Sequence, residues 1–139
     1  MCIQLREKDA PRREIYALAV ELRRLTLEYG AALIINDHPD IALAVDADGV
    51  HLGQDDFPLA GAREIMGKKI IGISTHDFGE AAGAYRGGAD YIGFGPVFET
   101  STKDVGPAKG LDMLKEIKRS AGIPVMAIGG ITAETASGV

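Results

Sequence analysis

Short apolar runs alternate with amphipathic stretches along this chain, and the alternation restricts its fold more than any other property. Each run is rich in Val, Ile, Leu, Phe or Tyr and ends at or just before glycine or a polar residue, which is typical of a buried parallel strand. The runs are CIQLR (2–6), ALIIN (32–36), GVHLG (49–53), IIGIS (70–74), YIGFG (91–95) and VMAIG (125–129). Because strands that alternate with helices form parallel sheets covered by helices, the sequence predicts an α/β protein.

Helices are predicted between the runs, and the clearest covers residues 11–29. Pro11 suits a first helical turn and Gly30 suits a left-handed stop. The predicted apolar face of this helix consists of Ile15, Leu18, Ala19, Leu22, Leu25 and Tyr29. Further helices are predicted over 38–47, 58–66, 77–86 and 111–121. The sequence therefore predicts about six successive β/α units.

Two architectures satisfy this alternation, an open doubly wound sheet and a closed (β/α)8 TIM barrel. A GxGxxG turn after the first strand would favour the open sheet, and the sequence has none there. The short and regular repeats favour the barrel. Since a complete barrel needs about 200 residues or more, residues 1–139 are predicted to be a single, partial TIM-barrel domain that is truncated at both ends.

The charge and the cysteine content restrict the partners and the compartment. A net charge of −5 and an isoelectric point near 5.1 argue against nucleic acid or an anionic membrane as a partner. Cys2 is the single cysteine, which fits a reducing compartment. The chain opens with charges where a signal peptide has its apolar core, and no apolar run approaches the roughly 20 residues that span a bilayer. A cytoplasmic location and no membrane partner are expected.

Polar side chains follow the predicted strands, at the end where parallel β/α proteins place their active sites. They are Gln4, Arg6, Lys8, Asn36, Asp37, Gln54, Asp55, Asp56, Ser74, Thr75, His76, Thr100, Thr102, Lys103, Gly129 and Gly130. Two carboxylates on neighbouring strand ends can share one Mg²⁺ that keeps waters and takes its other ligands from phosphate. Glycines after a strand let backbone N–H groups reach phosphate oxygens. The set suits a phosphorylated ligand with a divalent metal.

Each of these residues also has a purely structural interpretation. The alternatives are a solvated strand end for Arg6 and Lys8, helix caps for Asp37, Asp56, Ser74 and Thr75, a structural or supporting role for His76, and a tight turn at Gly129–Gly130. Taken singly, most of these alternatives compete evenly with a role in binding. The convergence of the whole set on one rim favours the functional interpretation.

Six segments resemble the thiamine phosphate synthase family, in order and with normal spacing. They are QLREK (4–8), IINDHPDIAL (34–43), ADGVHLGQDD (47–56), GISTH (72–76), ADYIGFGPVFETSTK (89–103) and IPVMAIGGIT (123–132). The resemblance covers essentially the whole chain and implies a (β/α)8 barrel whose first strand and last one or two units are missing here. His38 and Pro39 stand where the family often has Arg and an aliphatic residue.

The resemblance implies an enzyme that joins hydroxymethylpyrimidine diphosphate to a thiazole phosphate through a pyrimidine-methyl cation, giving thiamine phosphate and pyrophosphate. It implies Mg²⁺ as cofactor with Asp37 and Asp56 as its ligands, and Ser74 and Lys103 as catalytic residues. The implied substrate-binding residues are Gln4, Arg6, Lys8, Asn36, Ser74, Thr100, Thr102, Lys103 and Gly130. Residues 95–110 would form a phosphate-holding lid. The implied partners are small phosphorylated substrates.

Two alternative functions remain open. A thiazole tautomerase relative shares the barrel and a histidine in the region of His76, but it tends to lose the diphosphate and Mg²⁺ residues that are present in this chain. A non-catalytic phosphate-binding fragment would be an open barrel with exposed apolar edges, and such edges lead to aggregation or to a homo-oligomer. Metal-dependent pyrophosphate release would distinguish the synthase from both alternatives.

Overall fold

The computed structural model describes residues 1–100 and 106–139. Within them, six strands alternate with five α-helices, and a short 3₁₀ turn covers Ala136–Gly138. The strands are β1 (Cys2–Leu5), β2 (Ala32–Asn36), β3 (Gly49–Leu52), β4 (Ile70–Thr75), β5 (Tyr91–Phe94) and β6 (Val125–Ala127). The helices are α1 (Arg12–Glu28), α2 (Pro39–Ala44), α3 (Leu59–Met66), α4 (Phe78–Arg86) and α5 (Gly110–Ser120). The predicted α/β alternation is confirmed.

The chain divides into two compact units, Met1–Gly72 and Ile73–Val139, and β4 contributes residues to both. In the first unit β1 pairs with β2 and β2 pairs with β3, each time in parallel, and β4 begins beside β3. In the second unit β4 ends beside β5, which pairs in parallel with β6. Strands in chain order are what right-handed β-α-β crossovers produce. Closure into an eight-stranded barrel stays a prediction.

The core of the first unit is built on β2 and β3, which are buried along nearly their whole length. Leu33, Ile35 and Val50 are fully buried. Each side chain of this size stabilises the fold by roughly 1.5–3 kcal/mol when it leaves water. Continuous burial of this kind requires cover on the faces of the strands, and α1 and α2 both pack on β2.

Helix α1 contacts the sheet through a narrower face than the sequence predicts. Ile15 and Ala19 are buried as predicted, and Thr26 extends their stripe. The predicted face residues that are exposed instead are Leu18, Leu25 and Tyr29. The prediction was wrong for these three because, at 100° per residue, they lie roughly 60–100° around the helix from the buried stripe.

The second unit has its own core around β5. Ile92 and Phe94 of this strand are fully buried. Helix α4 contacts β5 and buries only alanines, whereas α5 contacts β6 and buries Leu114 and Ile117. Because β5 and β6 pair in register from Ile92 with Val125 to Phe94 with Ala127, the loops that follow them begin side by side.

Helix ends fall close to where capping chemistry predicts them. The predicted helix 11–29 is observed over Arg12–Glu28, and Gly30 beyond it has a φ of +61°. The predicted helix 77–86 starts after Asp77, whose Oδ1 accepts the Glu80 N–H at 2.9 Å. The segment 38–47 forms a shorter helix than predicted, Pro39–Ala44. Among the described residues, none of the helices has both the length and the apolar character needed to cross a bilayer.

Ion pairs join the segments around β2, β3 and β4 in the first unit. Asp48 Oδ2 accepts hydrogen bonds from Arg23 Nη1 at 2.8 Å and from the Leu33 N–H at 2.7 Å, which links α1 to β2 and to the residue before β3. Lys69 Nζ lies 2.5 Å from Asp46 Oδ1 and 2.7 Å from the Ala47 carbonyl oxygen. These contacts hold the start of β4 against the turn before β3.

Candidate active site

Asp37 follows β2 directly and has an unusual backbone. Its φ is +65°, in the left-handed region that costs most L-residues about 1–2 kcal/mol but that Asp and Asn tolerate. The strand pairing fixes it there, because the Asp37 N–H donates to the His51 carbonyl oxygen of β3 at 2.9 Å. Strain of this kind concentrates at functional sites. Asp46 has a similar φ of +52°, so the left-handed backbone fits the predicted role of Asp37 but is not specific to it.

A cluster of three titratable side chains, Lys8, Asp37 and Asp56, forms around the end of β2 within the first unit. Lys8 Nζ lies 2.8 Å from Asp37 Oδ2, and the Asp56 carboxyl donates a hydrogen bond to the Asp37 carboxylate. Asp56 is itself fixed, because its Oδ2 accepts the Gly53 N–H at 2.6 Å. The N-cap of α3 is Pro58, so the alternative in which Asp56 caps this helix is not what the structure contains.

The two carboxyls of the cluster differ in the direction of their pKa shifts. Burial raises the pKa of Asp56, and the adjacent Asp37 raises it further because two negative charges this close repel each other. Burial also acts to raise the pKa of Asp37, but the Lys8 ammonium and the hydrogen bond from Asp56 outweigh it and hold that pKa below its usual value. Asp37 therefore loses its proton more readily than Asp56 does.

The residues of this cluster fit a hard divalent cation. Both donors are carboxylate oxygens, the ligands that Mg²⁺ prefers. Within residues 1–100 and 106–139, there is no grouping of three or more His, Cys, Asp or Glu side chains suited to a metal. Two protein carboxylates suffice for Mg²⁺, which is usually bound by one or two carboxylates, waters and substrate phosphates. The donor set fits Mg²⁺ as part of a metal–phosphate complex.

The other predicted residues of the first unit lie at the ends of the same strands. Gln4 and Arg6 are exposed at the end of β1, whereas Asn36 is 8% exposed at the end of β2. His51 of β3 is in register with Asn36, which places both side chains on the same face of the sheet. His51 is not among the predicted site residues, although a titratable side chain in a four-residue buried strand makes it conspicuous.

The second unit contains a cavity of about 470 Å³ at the ends of β4, β5 and β6. Its lining consists of Ser74, Thr75, His76, Gly93, Gly95, Pro96, Thr100, Ala127, Ile128, Gly129, Gly130 and Ile131. The side chains and backbone of this lining are mostly uncharged. Of the residues predicted for substrate binding, the cavity brings together Ser74, Thr100 and Gly130.

The glycines after β6 allow backbone to approach backbone beside this cavity. Gly130 has a φ of +65°, and a Cβ there would lie 2.5 Å from the Glu99 carbonyl oxygen. A Cβ at Gly129 would lie 2.6 Å from Pro96. The Phe98 N–H donates to the Gly129 carbonyl oxygen at 3.0 Å, and this hydrogen bond joins the start of the 95–110 loop to the segment after β6. The glycine pair is required by this close packing.

His76 is held by a carboxylate at the edge of the cavity. Glu80 Oε2 accepts the His76 backbone N–H at 2.7 Å and lies 3.0 Å from its ring Nδ1. The N-cap of α4 is Asp77, so neither Ser74 nor Thr75 caps this helix. Thr75 is instead buried, and its hydroxyl donates to the Gly93 carbonyl oxygen at 3.3 Å.

The matching family model, described as thiamine monophosphate synthase, covers residues 1–139. The chain belongs to the thiamine monophosphate synthase family. A curated thiamine-phosphate synthase of Chloroflexus aurantiacus is 51% identical over 138 residues, which are 99% of this chain and 64% of that protein. The thiamine-phosphate synthase of Halalkalibacterium halodurans is 55% identical over 131 residues, 93% of this chain and 62% of that protein.

A solved structure supports the same family. Thiamine phosphate pyrophosphorylase from Pyrococcus furiosus is 47% identical, with a TM-score of 0.89 over 97% of this chain and 65% of that one. The chain thus spans less than two thirds of the length of these three relatives. Of the residues assigned by the family resemblance, Thr102 and Lys103 lie outside the described residues.

Proposed function

We propose that this protein acts as a thiamine phosphate synthase, a transferase that joins hydroxymethylpyrimidine diphosphate to a thiazole phosphate. The observation that carries the proposal is the contact of Lys8, Asp37 and Asp56 at the strand ends of the first unit. A carboxylate pair with an adjacent ammonium suits a metal–diphosphate complex. Relatives named thiamine-phosphate synthase, about half identical to this chain, support the choice of reaction.

In the proposed reaction, the bond between the pyrimidine methylene carbon and the diphosphate oxygen breaks, and its electron pair leaves with pyrophosphate. The lone pair of the thiazole nitrogen then forms the new C–N bond with the pyrimidine-methyl cation. The atoms balance without an added oxidant, reductant or base. The protein has little covalent chemistry to perform, so it contributes orientation of the two reactants and stabilisation of the leaving charge.

The first unit would hold the diphosphate. Arg6, Lys8 and Asn36 are assigned to its oxygens, and Gln4 is assigned to the neighbouring pyrimidine. Asp37 and Asp56 would hold Mg²⁺, which supplies Lewis-acid stabilisation of the leaving oxygens when bound. Asp37, whose pKa is held below its usual value, is ionised at neutral pH, as a ligand of a divalent cation must be.

The second unit would hold the thiazole phosphate in its cavity. Thr100 and the backbone of Gly130 are assigned to the phosphate, in a region where backbone already packs tightly. Ser74 lines the same cavity and is assigned to the leaving group as a catalytic residue. The resemblance adds Thr102 to the thiazole phosphate and Lys103 to the pyrophosphate, as the second catalytic residue.

The proposal extends to the fold, the location and the assembly of the enzyme. The β/α units are proposed to belong to a (β/α)8 barrel, as the family resemblance implies, and their strands follow chain order within each unit. A cytoplasmic location is supported by the single cysteine, which fits a reducing compartment. Self-association is proposed from the exposed apolar side chains of α1 and would be measured by light scattering.

The test is formation of thiamine phosphate from both substrates with Mg²⁺, followed by mass spectrometry. We expect product in the wild type and a loss of at least about 100-fold in Asp56→Asn, because the leaving charge loses its metal ligand. Asp112→Asn is the matched control, since Asp112 is a fully exposed carboxylate of α5 that pairs with a lysine at 3.8 Å. Absence of product from the wild type would overturn the proposal.

A thiazole tautomerase is the second candidate, favoured by the His76–Glu80 pair on the cavity. A histidine whose Nδ1 is held by a carboxylate is arranged to exchange a proton through its other nitrogen. On this account, His76→Asn would abolish isomerisation of the thiazole substrate, and Asp56→Asn would leave it unchanged. Isomerisation of the thiazole substrate without pyrophosphate release would favour the tautomerase over the synthase.

A further inference from the structure

Lys8 and Asp37 have different freedom to move although they form one ion pair. The side chain of Asp37 is 16% exposed, and its position is fixed by a left-handed backbone and by the hydrogen bond from Asp56. The side chain of Lys8 is 41% exposed and carries its charge on a flexible four-carbon stem. If the pair separates, Lys8 is therefore the member that moves.

The Lys8 ammonium and a metal ion would compete for the same carboxylate, that of Asp37. A Mg–O distance is about 2.1 Å, and Lys8 Nζ is 2.8 Å from Asp37 Oδ2. A divalent cation on this carboxylate would thus lie roughly 5 Å or less from the ammonium, which is close enough for strong repulsion in a partly buried site. A free cation binds Asp37 only against this repulsion.

A diphosphate removes the conflict because it can bind both cations. Its oxygens can coordinate the metal and accept hydrogen bonds from Lys8, so negative charge lies between the two positive charges. Lys8 then exchanges one anionic partner for another. The carboxylates are left to the metal, and no cation is left without a partner.

We propose that Lys8 is a specificity-determining residue: as the resident counter-ion of Asp37 it disfavours free divalent cations and makes the cluster selective for a metal–diphosphate complex. The inference rests on the proposed function, which assigns Asp37 and Asp56 to the metal. Because binding free energies are reciprocal, Mg²⁺ and pyrophosphate tighten each other's binding through this exchange. Removing the ammonium must then strengthen the binding of Mg²⁺ alone while it weakens the binding of pyrophosphate.

The test is titration calorimetry of the intact protein with Mg²⁺ alone, and then with pyrophosphate in the presence of Mg²⁺. We expect Lys8→Met to bind Mg²⁺ alone at least about 5-fold more tightly than the wild type, and pyrophosphate more weakly. Lys8→Gln is the second variant if Lys8→Met does not fold. Lys115→Met, which removes the exposed ammonium paired with Asp112, is expected to match the wild type. Unchanged or weaker Mg²⁺ binding in both Lys8 variants would overturn the inference.

The variant Asp37→Asn distinguishes a wrong role for Lys8 from a wrong assignment of the metal site. If Asp37→Asn weakens Mg²⁺ binding while the Lys8 variants do not strengthen it, the metal assignment stands and the role of Lys8 is wrong. If Mg²⁺ binds equally well to the wild type, to Asp37→Asn and to the Lys8 variants, both the metal assignment and the inference are wrong. Tighter binding in the Lys8 variants that is lost when Asp37→Asn is added supports both.

Discussion

Asp37 has a left-handed backbone and an ion pair with Lys8, and substitutions of this one residue measure the two properties separately. Asn tolerates the left-handed conformation that Asp37 adopts, whereas Ala does not. We expect Asp37→Asn and Asp37→Ala to lose Mg²⁺ binding equally, but Asp37→Ala to be less stable than Asp37→Asn by about 1 kcal/mol. Urea unfolding checks the difference. Equal unfolding free energies would mean that the left-handed backbone is not maintained in solution.

Asp46 gives the protein a pH dependence unrelated to the active site. Its hydrogen bond and charge interaction with Lys69 hold the pKa of Asp46 below its usual value of 3.8. In the unfolded chain Asp46 has its usual pKa, so it takes up a proton at a higher pH than it does in the folded protein. The ion pair therefore stabilises the fold above the unfolded pKa, and this stabilisation is lost as the pH falls through the lower pKa of the folded protein. The contribution is small because the Asp46 side chain is 83% exposed.

Asp46→Asn should therefore flatten the acid limb of the stability curve. We expect the wild type to lose more unfolding free energy than the variant between about pH 6 and about pH 3, and the difference to shrink in high salt. Urea titrations at several pH values measure it. A variant that loses as much stability as the wild type would show that this ion pair does not form in solution.

The elements of the second unit meet at Gly130, where the segment after β6 passes the 95–110 loop. Gly30 provides a matched comparison, because its φ of +61° is close to the +65° of Gly130 but a Cβ there would have nothing within 4 Å. Gly30→Ala should cost about 1–2 kcal/mol for the left-handed backbone alone. Gly130→Ala should cost more, since its Cβ would meet the Glu99 carbonyl oxygen.

Gly130→Ala should also raise the KM for the thiazole phosphate, because the backbone shift that relieves the clash displaces the cavity wall. Gly30→Ala lies outside the cavity and should leave this KM unchanged. Steady-state kinetics together with urea unfolding measure both effects. Equal stability losses in the two variants would contradict the close packing after β6.

The elements themselves were predictable because local chemistry decides them. The strand runs, Gly30 after α1 and Asp77 before α4 are all local signals, and the structure contains each of them. The exposed face of α1 was not predictable in this way. Periodicity placed Leu18 and Tyr29 on the apolar side of the helix. How wide the buried stripe becomes is decided by the elements that pack against the helix, which the sequence does not show.

At the level of the whole molecule, the sequence could place the proposed site residues after strands, but it could not predict their contacts. Asp37, Asp56 and Lys8 each follow a strand, which the sequence shows. The left-handed φ of Asp37, its contact with Lys8 and the register of His51 with Asn36 depend on strand pairing between distant segments. Lys103 and Thr102 stay predictions, since they lie outside the described residues.

Pyrophosphate release as a function of Mg²⁺ concentration, with both substrates present, is the most direct test of the synthase assignment. We expect one pyrophosphate per thiamine phosphate, a requirement for Mg²⁺ in the wild type and in Asp112→Asn, and loss of the Mg²⁺ response in Asp37→Asn. Release that is independent of Mg²⁺, or that Asp37→Asn leaves intact, would contradict the assignment of the Lys8, Asp37 and Asp56 cluster to the metal–diphosphate end of a synthase site.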